Sequence, residues 1–172
     1  MIEKSTLQKV LSVFFENPST EYYLRELSRK LKLSMPTIVS TTDNLSRKKL
    51  ILKTKEKALT KVIGNRGNNS FIVHKRIYNL EMIYDSEIVD YLSKAYNYPK
   101  NIVLFGSFSR GEDVENSDID IAITTKKHVS LSLEEYEKRL RRDISIHEID
   151  LDKVSGEFKA NLINGIIVEG TW

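Results

Sequence analysis

The sequence of 172 residues contains no cysteine, which excludes disulfide frameworks, thiolate metal sites and cysteine nucleophiles. Long hydrophobic runs are also missing. The apolar stretches extend over only a few residues, far short of the roughly 20 that a membrane helix needs. The apolar stretch near the N-terminus is short, and no small-residue cleavage site follows it. We therefore expect no membrane insertion, no secretory signal and a cytoplasmic location.

Acidic residues are scarce in the first part of the chain. Residues 1–76 contain sixteen Lys and Arg against six Asp and Glu, whereas residues 77–172 contain eleven against eighteen. Such an asymmetry is typical of a chain in which a polyanion-binding module is joined to an unrelated module. The alternative is that both parts simply present ordinary solvated surfaces.

Turn-forming residues divide the first 76 residues into short elements. Apolar periodicity predicts one helix before Pro18 and a second short helix from about Tyr22 to Leu31. A third helix is predicted over residues 35–49, with Ser34 as its N-cap and Pro36 in its first turn. Its inward-facing residues would be Ile38, Thr42 and Leu45.

Two β-like stretches follow this helix, at residues 50–63 and 70–75. The segment 64–69 between them holds two of only seven glycines and suits the turn of a hairpin. Three helices followed by a hairpin is the element order of a winged helix-turn-helix domain, which we predict for residues 1–76.

In a helix-turn-helix the second helix of the motif enters the major groove of DNA. On residues 35–49 we expect short polar side chains to face outward toward base edges, namely Thr37, Ser40, Thr41 and Asn44. Basic side chains suit phosphates instead, namely Arg47, Lys48 and Lys49 on the helix and Lys53, Lys55, Lys57, Lys61 and Arg66 on the hairpin. DNA is the expected partner, and a homodimer that reads two half-sites is a further expectation. Winged domains that bind proteins or pack into dimers are the alternative.

Residues 77–97 are predicted to form a helical connector. After them the sequence pattern changes to short runs rich in β-forming residues. Strands are predicted at residues 102–105, 119–123, 144–149 and 166–168. Helices are predicted over residues 133–142, with a Ser132–Glu135 capping box, and over about 152–164. The sequence thus predicts an α+β protein whose second domain, residues 98–172, is a small mixed sheet flanked by helices.

The strongest motif joins two of these strands. It begins with Gly106 and Ser107, continues to Gly111, and ends with Ser117, Asp118 and Asp120. A glycine at a strand end lets backbone N–H groups approach a phosphate, and a serine adds a hydroxyl donor. Two aspartates that are two positions apart in a strand project from one face. Paired carboxylates beside a phosphate cradle are suited to Mg²⁺ on a nucleoside triphosphate.

This string resembles the signature of the minimal nucleotidyltransferases of the DNA polymerase β superfamily, over about residues 98–170. The whole chain resembles archaeal proteins in which a winged helix precedes such a domain. The resemblance implies that a nucleoside triphosphate binds at Gly106 and Ser107, with Arg110 and Ser117 beside them. It also implies that Asp118 and Asp120 are catalytic and hold Mg²⁺, while a nucleotide is joined to an acceptor and pyrophosphate is released.

The sequence departs from the family pattern at one position. Active members carry a third carboxylate on a neighbouring strand, where this chain has Ser145, with His147 next on the same face and Glu148 on the other. Asp143 and Asp150 lie at the ends of that strand. Two functions therefore stay open: an Mg²⁺-dependent nucleotidyltransferase, or a DNA-binding regulator whose degenerate domain binds nucleotide or a protein. The resemblance also includes antitoxins of this type, whose partner is a helical toxin.

Overall fold

The computed structural model describes residues 5–56, 59–150 and 153–171. The chain divides into two compact units, Met1–Tyr78 and Asn79–Trp172. The sequence predicts a first domain that ends at residue 76 and a second that begins at residue 98, and these limits stay predictions. In the part of the chain that the structure describes, none of the helices combines the length and the hydropathy that crossing a bilayer requires.

The first unit contains three helices, a small antiparallel sheet and the start of a fourth helix. Its elements are α1 (Thr6–Glu16), β1 (Tyr22–Tyr23), α2 (Leu24–Leu31), α3 (Met35–Arg47), β2 (Ile51–Glu56), β3 (Leu59–Gly64) and α4 (Asn69–Asp85). The strand order is β1-β3-β2, with antiparallel pairing throughout. This is the architecture predicted for a winged helix-turn-helix region.

Helix α3 begins and packs as its sequence predicts. The Oγ of Ser34 accepts the N–H of Thr37 at 3.3 Å, and Pro36 lies in the first turn, where its missing N–H costs no intrahelical bond. Ile38, Thr42 and Leu45 are fully buried, at the spacing of one helical face. The turn before α3 is tight because Lys32 adopts a left-handed conformation at the end of α2.

Three local predictions for this unit are wrong. Tyr22 lies in a strand instead of a helix, because it pairs with Val62 of β3. Residues 70–75 are helical, since Phe71 and Lys75 belong to the buried face of α4. The segment 64–69 therefore leads from β3 to α4, and β3 pairs antiparallel with β2 instead. Lys57, which was expected on that hairpin, lies outside the described residues.

The second unit is a four-stranded mixed sheet with helices. After the end of α4 come α5 (Ile88–Ala95), β4 (Asn101–Phe105), α6 (Gly106–Arg110), β5 (Ile119–Thr124), α7 (Glu134–Leu140), β6 (Ile144–Ile149), α8 (Gly156–Ile163) and β7 (Ile166–Gly170). The strand order is β6-β5-β4-β7, in which β5 and β6 are parallel and the other pairs antiparallel. The predicted α+β fold and mixed sheet are confirmed.

The two faces of this sheet bury different side chains. Residues such as Leu104 and Ile121 point into a large apolar core with Leu92 of α5. The opposite face holds a smaller cluster, which consists of Val103, Phe105, Ala122, Ile149 and Leu162. This second face is only partly filled by apolar residues, and it is the face on which the polar residues of the predicted site lie.

The ends of two predicted helices require correction. Helix α7 begins after Leu133 without a side-chain cap, so the predicted Ser132–Glu135 capping box does not form. The N–H of Ser132 donates to the hydroxyl of Tyr91 instead. Helix α8 begins at Gly156, because the Oγ of Ser155 caps it. Residue 152, where the helix was predicted to begin, lies outside the described part.

Candidate active site

Gly106 brings the backbone bend after β4 against the carboxylate of Asp120. Phe105, the last residue of β4, pairs with Asp120 of β5. Gly106 follows with φ +74°, and a Cβ on it would lie 2.3 Å from the Oδ2 of Asp120. Both the conformation and the space therefore require glycine here. The predicted glycine at the strand end thus lets the backbone lie close to a carboxylate.

The segment after Gly106 is a short helix followed by a well-anchored loop. Ser107 is half-buried in the first turn of α6, and Gly111 reverses the chain with φ +74°. Asp113, which is fully buried, accepts the side-chain amide of Asn79 at 2.7 Å. That amide also donates to the carbonyl of Phe108 at 2.9 Å, so one group holds both α6 and the loop. The backbone around Ser107 is thus fixed before any ligand binds.

Asp118 and Asp120 lie at alternate positions along the chain and so share a face. Asp120 is in β5 and half-buried, whereas Asp118 comes one residue before the strand and is exposed. The prediction that both lie within the strand is therefore wrong by one residue. The hydrogen bonding between β5 and β6 nevertheless extends to the start of β5, because the N–H of Ile119 donates to the carbonyl of Asp143.

The two remaining residues expected near the triphosphate have protein partners in this structure. The Nε of Arg110 donates to the Oε2 of Glu112 at 2.7 Å, and both side chains are about half exposed. An exposed pair of this kind contributes about 0–1 kcal/mol, so it can exchange for a phosphate. The Oγ of Ser117 accepts the N–H of Val114 at 2.9 Å, which shapes the loop before Asp118.

The strand next to Asp120 presents a serine and a histidine on the same face. In the parallel register of β5 and β6, Asp120 pairs with Ser145 and Ala122 with His147. The Nε2 of His147 lies 3.3 Å from the Oδ1 of Asp120. The imidazole therefore reaches the carboxylate that the sequence assigns to the metal.

Glu148 is excluded as a third carboxylate because it faces the other side of the sheet. It accepts hydrogen bonds from the hydroxyl of Tyr96 at 2.6 Å and the N–H of Val129 at 2.9 Å, and its Oε2 lies 2.6 Å from Nδ1 of His128. Burial raises the pKa of this carboxyl, but these hydrogen bonds outweigh burial and hold the pKa below its ordinary value of 4.5. Asp150 is also directed elsewhere, toward Lys126 and Lys153.

Asp143 is the remaining acidic candidate, and it shares a cleft with Asp118. The cleft has a volume of about 570 Å³ and is lined by Glu115, Asn116, Ser117, Asp118, Glu137, Arg141, Arg142 and Asp143. The arginines were not predicted as site residues. The sequence could have indicated them, because they come directly before β6 as Asp118 comes directly before β5. Parallel neighbouring strands begin at the same edge of a sheet.

The residues at Asp120 fit a divalent cation that arrives with other ligands. Among residues 5–56, 59–150 and 153–171, no group of three or more His, Asp and Glu side chains is placed to hold a metal ion. Asp118 and Asp120 supply hard carboxylate oxygens, which Mg²⁺ prefers, and Mg²⁺ commonly takes one or two carboxylates plus substrate phosphates.

The outer face of α3 carries apolar and acidic side chains beside the residues predicted for DNA contact. Ser40 is exposed, but Thr37, Thr41 and Asn44 are half-buried, and the hydroxyl of Thr37 lies 2.8 Å from that of Ser34. The open face is a shallow pocket lined by Met35, Pro36, Val39, Ser40, Asp43 and Arg47. The contact of Thr37, Ser40, Thr41 and Asn44 with base edges stays a prediction.

The basic side chains of this unit divide into exposed and paired ones. Arg47, Lys48 and Lys49 are exposed at the C-terminal end of α3. Lys53 contacts Asp43 at 2.6 Å, and Lys61 contacts Glu56 and Glu21. On the residues after β3, Arg66 is exposed and donates to the hydroxyl of Ser19. Lys55 is also exposed.

Comparison with known proteins gives one family match, over part of the chain. A family model described as "Nucleotidyltransferase domain" matches residues 85–168, which include the Gly106, Asp118 and Asp120 positions. A nucleotidyltransferase domain is therefore present in the second part of the chain. Neither the curated proteins nor the solved structures give a match. The winged-helix architecture of the first unit rests on the structure alone.

Proposed function

We propose that the protein transfers a nucleotidyl group from a nucleoside triphosphate to an acceptor and releases pyrophosphate. The observation that carries this proposal is the contact of the Gly106 backbone with the Asp120 carboxylate, inside the segment that matches the nucleotidyltransferase domain. An oxygen or nitrogen of the acceptor attacks the α-phosphorus and loses its proton. The bond from the α-phosphorus to the bridging oxygen breaks, and pyrophosphate leaves.

The side chains of this site have separable roles in that reaction. Asp118 and Asp120 would hold Mg²⁺, which when bound supplies neutralisation of the triphosphate charge and activation of the attacking group. Ser107 donates its hydroxyl to a phosphate oxygen, and Arg110 exchanges Glu112 for a phosphate. Asp113 and Asn79 keep the α6 segment in place, so that little ordering is needed when the nucleotide binds.

The direct test is incubation of the full chain with each α-labelled triphosphate, Mg²⁺ and a set of nucleic-acid and protein acceptors. Pyrophosphate and a labelled acceptor are expected from the wild type. Asp118→Asn and Asp120→Asn should each reduce the rate at least a hundredfold, whereas Asp90→Asn, an exposed aspartate on α5, should leave it unchanged. If the wild type and both site variants are equally inactive while triphosphate still binds, the regulator hypothesis replaces the enzyme.

For the first unit we propose binding of duplex DNA through α3 and its basic C-terminal end. Two observations favour it: the winged helix-turn-helix order of elements and the exposed cluster of Arg47, Lys48 and Lys49. This cluster suits phosphates and adds affinity that falls steeply with salt. The more apolar face at Met35 and Val39 suits thymine methyl groups better than hydrogen-bonded base edges.

The DNA proposal is tested with the double variant Arg47→Ala/Lys48→Ala. Retention of duplex DNA should weaken, and the slope of log affinity against log salt should fall by about 1 for each lost phosphate contact. Lys9→Ala, an exposed lysine on α1, is the control and should keep the wild-type slope. Equal retention by all three proteins would show that α3 does not face the DNA backbone.

A further inference from the structure

We infer that His147 is a direct ligand of the divalent cation held at Asp120, and that this mixed nitrogen–oxygen site favours Mn²⁺ over Mg²⁺. The inference rests on the proposed function, because the ion is the one expected beside the triphosphate. In this inference the imidazole of His147 takes the role of the third carboxylate, whose position on the same strand is occupied by Ser145.

The first argument is distance. The Nε2 of His147 and the Oδ1 of Asp120 are 3.3 Å apart. Two ligands at right angles around one ion, each about 2.1 Å from it, are separated by about 3 Å. The two atoms therefore already stand at close to the separation that shared coordination requires. Their side chains are 36% and 30% exposed, so an ion can reach both from solvent.

The second argument is orientation. The ring of His147 meets Phe105 edge-on, with 5.1 Å between the centroids, and lies 6.0 Å from the ring of Phe158. These contacts hold the imidazole on the Asp120 side of the sheet. Its register partner Ala122 and the neighbouring Ser145 have small side chains. A nitrogen donor is thus placed in advance at the carboxylate.

The third argument is the chemistry of the donors. Mg²⁺ is bound through oxygen, whereas imidazole is a ligand of first-row transition ions, and Mn²⁺ also accepts carboxylates and phosphates. A set of Asp120, His147 and triphosphate oxygens therefore suits Mn²⁺ better than Mg²⁺. The other two histidines offer no such set: His128 contacts Glu148 on the opposite face, and His74 lies on α4 in the first unit.

The test uses Mn²⁺ as the probe, with inorganic tripolyphosphate as a ligand that contains no nitrogen. Electron spin-echo modulation of the full-length wild-type complex should contain the coupling of one imidazole nitrogen. That coupling should change to the ¹⁵N pattern when the protein is labelled with ¹⁵N-histidine, which needs no variant. His147→Gln should remove the coupling and weaken Mn²⁺ binding about tenfold, while His128→Gln should keep both.

A further variant measures the ion preference. His147→Asp should reverse the order, so that Mg²⁺ competes with Mn²⁺ at least ten times more effectively than in the wild type. Mn²⁺ bound at Asp120 without nitrogen coupling would overturn the ligand role of His147 and leave the proposed function standing. No Mn²⁺ binding, with or without tripolyphosphate, would overturn both.

Discussion

Among single residues, Gly106 links the backbone geometry of the site to its charge. A side chain there would collide with the Asp120 carboxylate, and the positive φ would strain any other residue. Space and backbone conformation therefore both require glycine at this position. The sequence pattern suggested only a close approach of the backbone.

Gly106→Ala tests this role. The added methyl group must displace Asp120 and adopt a left-handed conformation, at a cost of about 1–3 kcal/mol. We expect a lower free energy of unfolding and at least a tenfold loss of pyrophosphate release. Gly156→Ala is the matched control, because a Cβ there meets nothing within 4 Å, and it should unfold like the wild type. Similar behaviour of both variants would show that the backbone at Gly106 can move away.

Glu148 gives a prediction about pH. Its pKa is lower in the folded protein, so its hydrogen bonds stabilise the fold fully above its ordinary value of 4.5 and this contribution is lost as the pH falls below it. Glu148→Gln should destabilise the protein by about 1–3 kcal/mol at pH 7. The difference from wild type should shrink under acid conditions. Urea unfolding at several pH values measures it, and a difference independent of pH would contradict the assignment.

At the scale of elements, α3 combines features that favour and oppose DNA binding. Its C-terminal end is basic, but Asp43 is exposed in the middle of its open face and contacts Lys53 at 2.6 Å. A carboxylate in this position repels phosphates and occupies a lysine that would otherwise be available to them.

Asp43→Asn should therefore bind duplex DNA about three to ten times more tightly than the wild type. The gain should decrease as salt is added, since it is electrostatic. Glu26→Gln, on the neighbouring α2, serves as the control for a simple change in net charge. Fluorescence anisotropy at several salt concentrations measures the affinities. Equal gains for both variants would show that overall charge, not the α3 face, is responsible.

Elements with a clear pattern were predicted well from the sequence. Strand β6 and the N-cap of α3 lie where they were expected, because strong apolar runs and a Ser-x-Pro start are local signals. Residues 70–75 were mistaken for a strand because β-branched and aromatic residues are common there. Their helix is decided by non-local burial of Phe71 and Lys75. Asp113 and Arg142 were missed at the site because their contacts join distant parts of the chain.

At the scale of the whole molecule, the two units differ in charge and in architecture. The positive charge belongs to the winged-helix unit, whereas all residues of the candidate active site lie in the acidic unit. An acidic surface repels a triphosphate unless a cation accompanies it. We therefore expect nucleotide binding to depend on divalent cations for two reasons: the paired aspartates and the acidic surface of the whole unit both repel a bare triphosphate.

The central claim is that Asp120 holds a cation carried by a triphosphate that binds beside the Gly106 backbone. Calorimetric titration of the full chain with a non-hydrolysable nucleoside triphosphate tests it most directly, with and without Mg²⁺ or Mn²⁺. We predict binding only when a divalent cation is present, and a loss of at least tenfold in Asp120→Asn. Binding that is equally strong without cations, or unchanged in Asp120→Asn, would contradict the account.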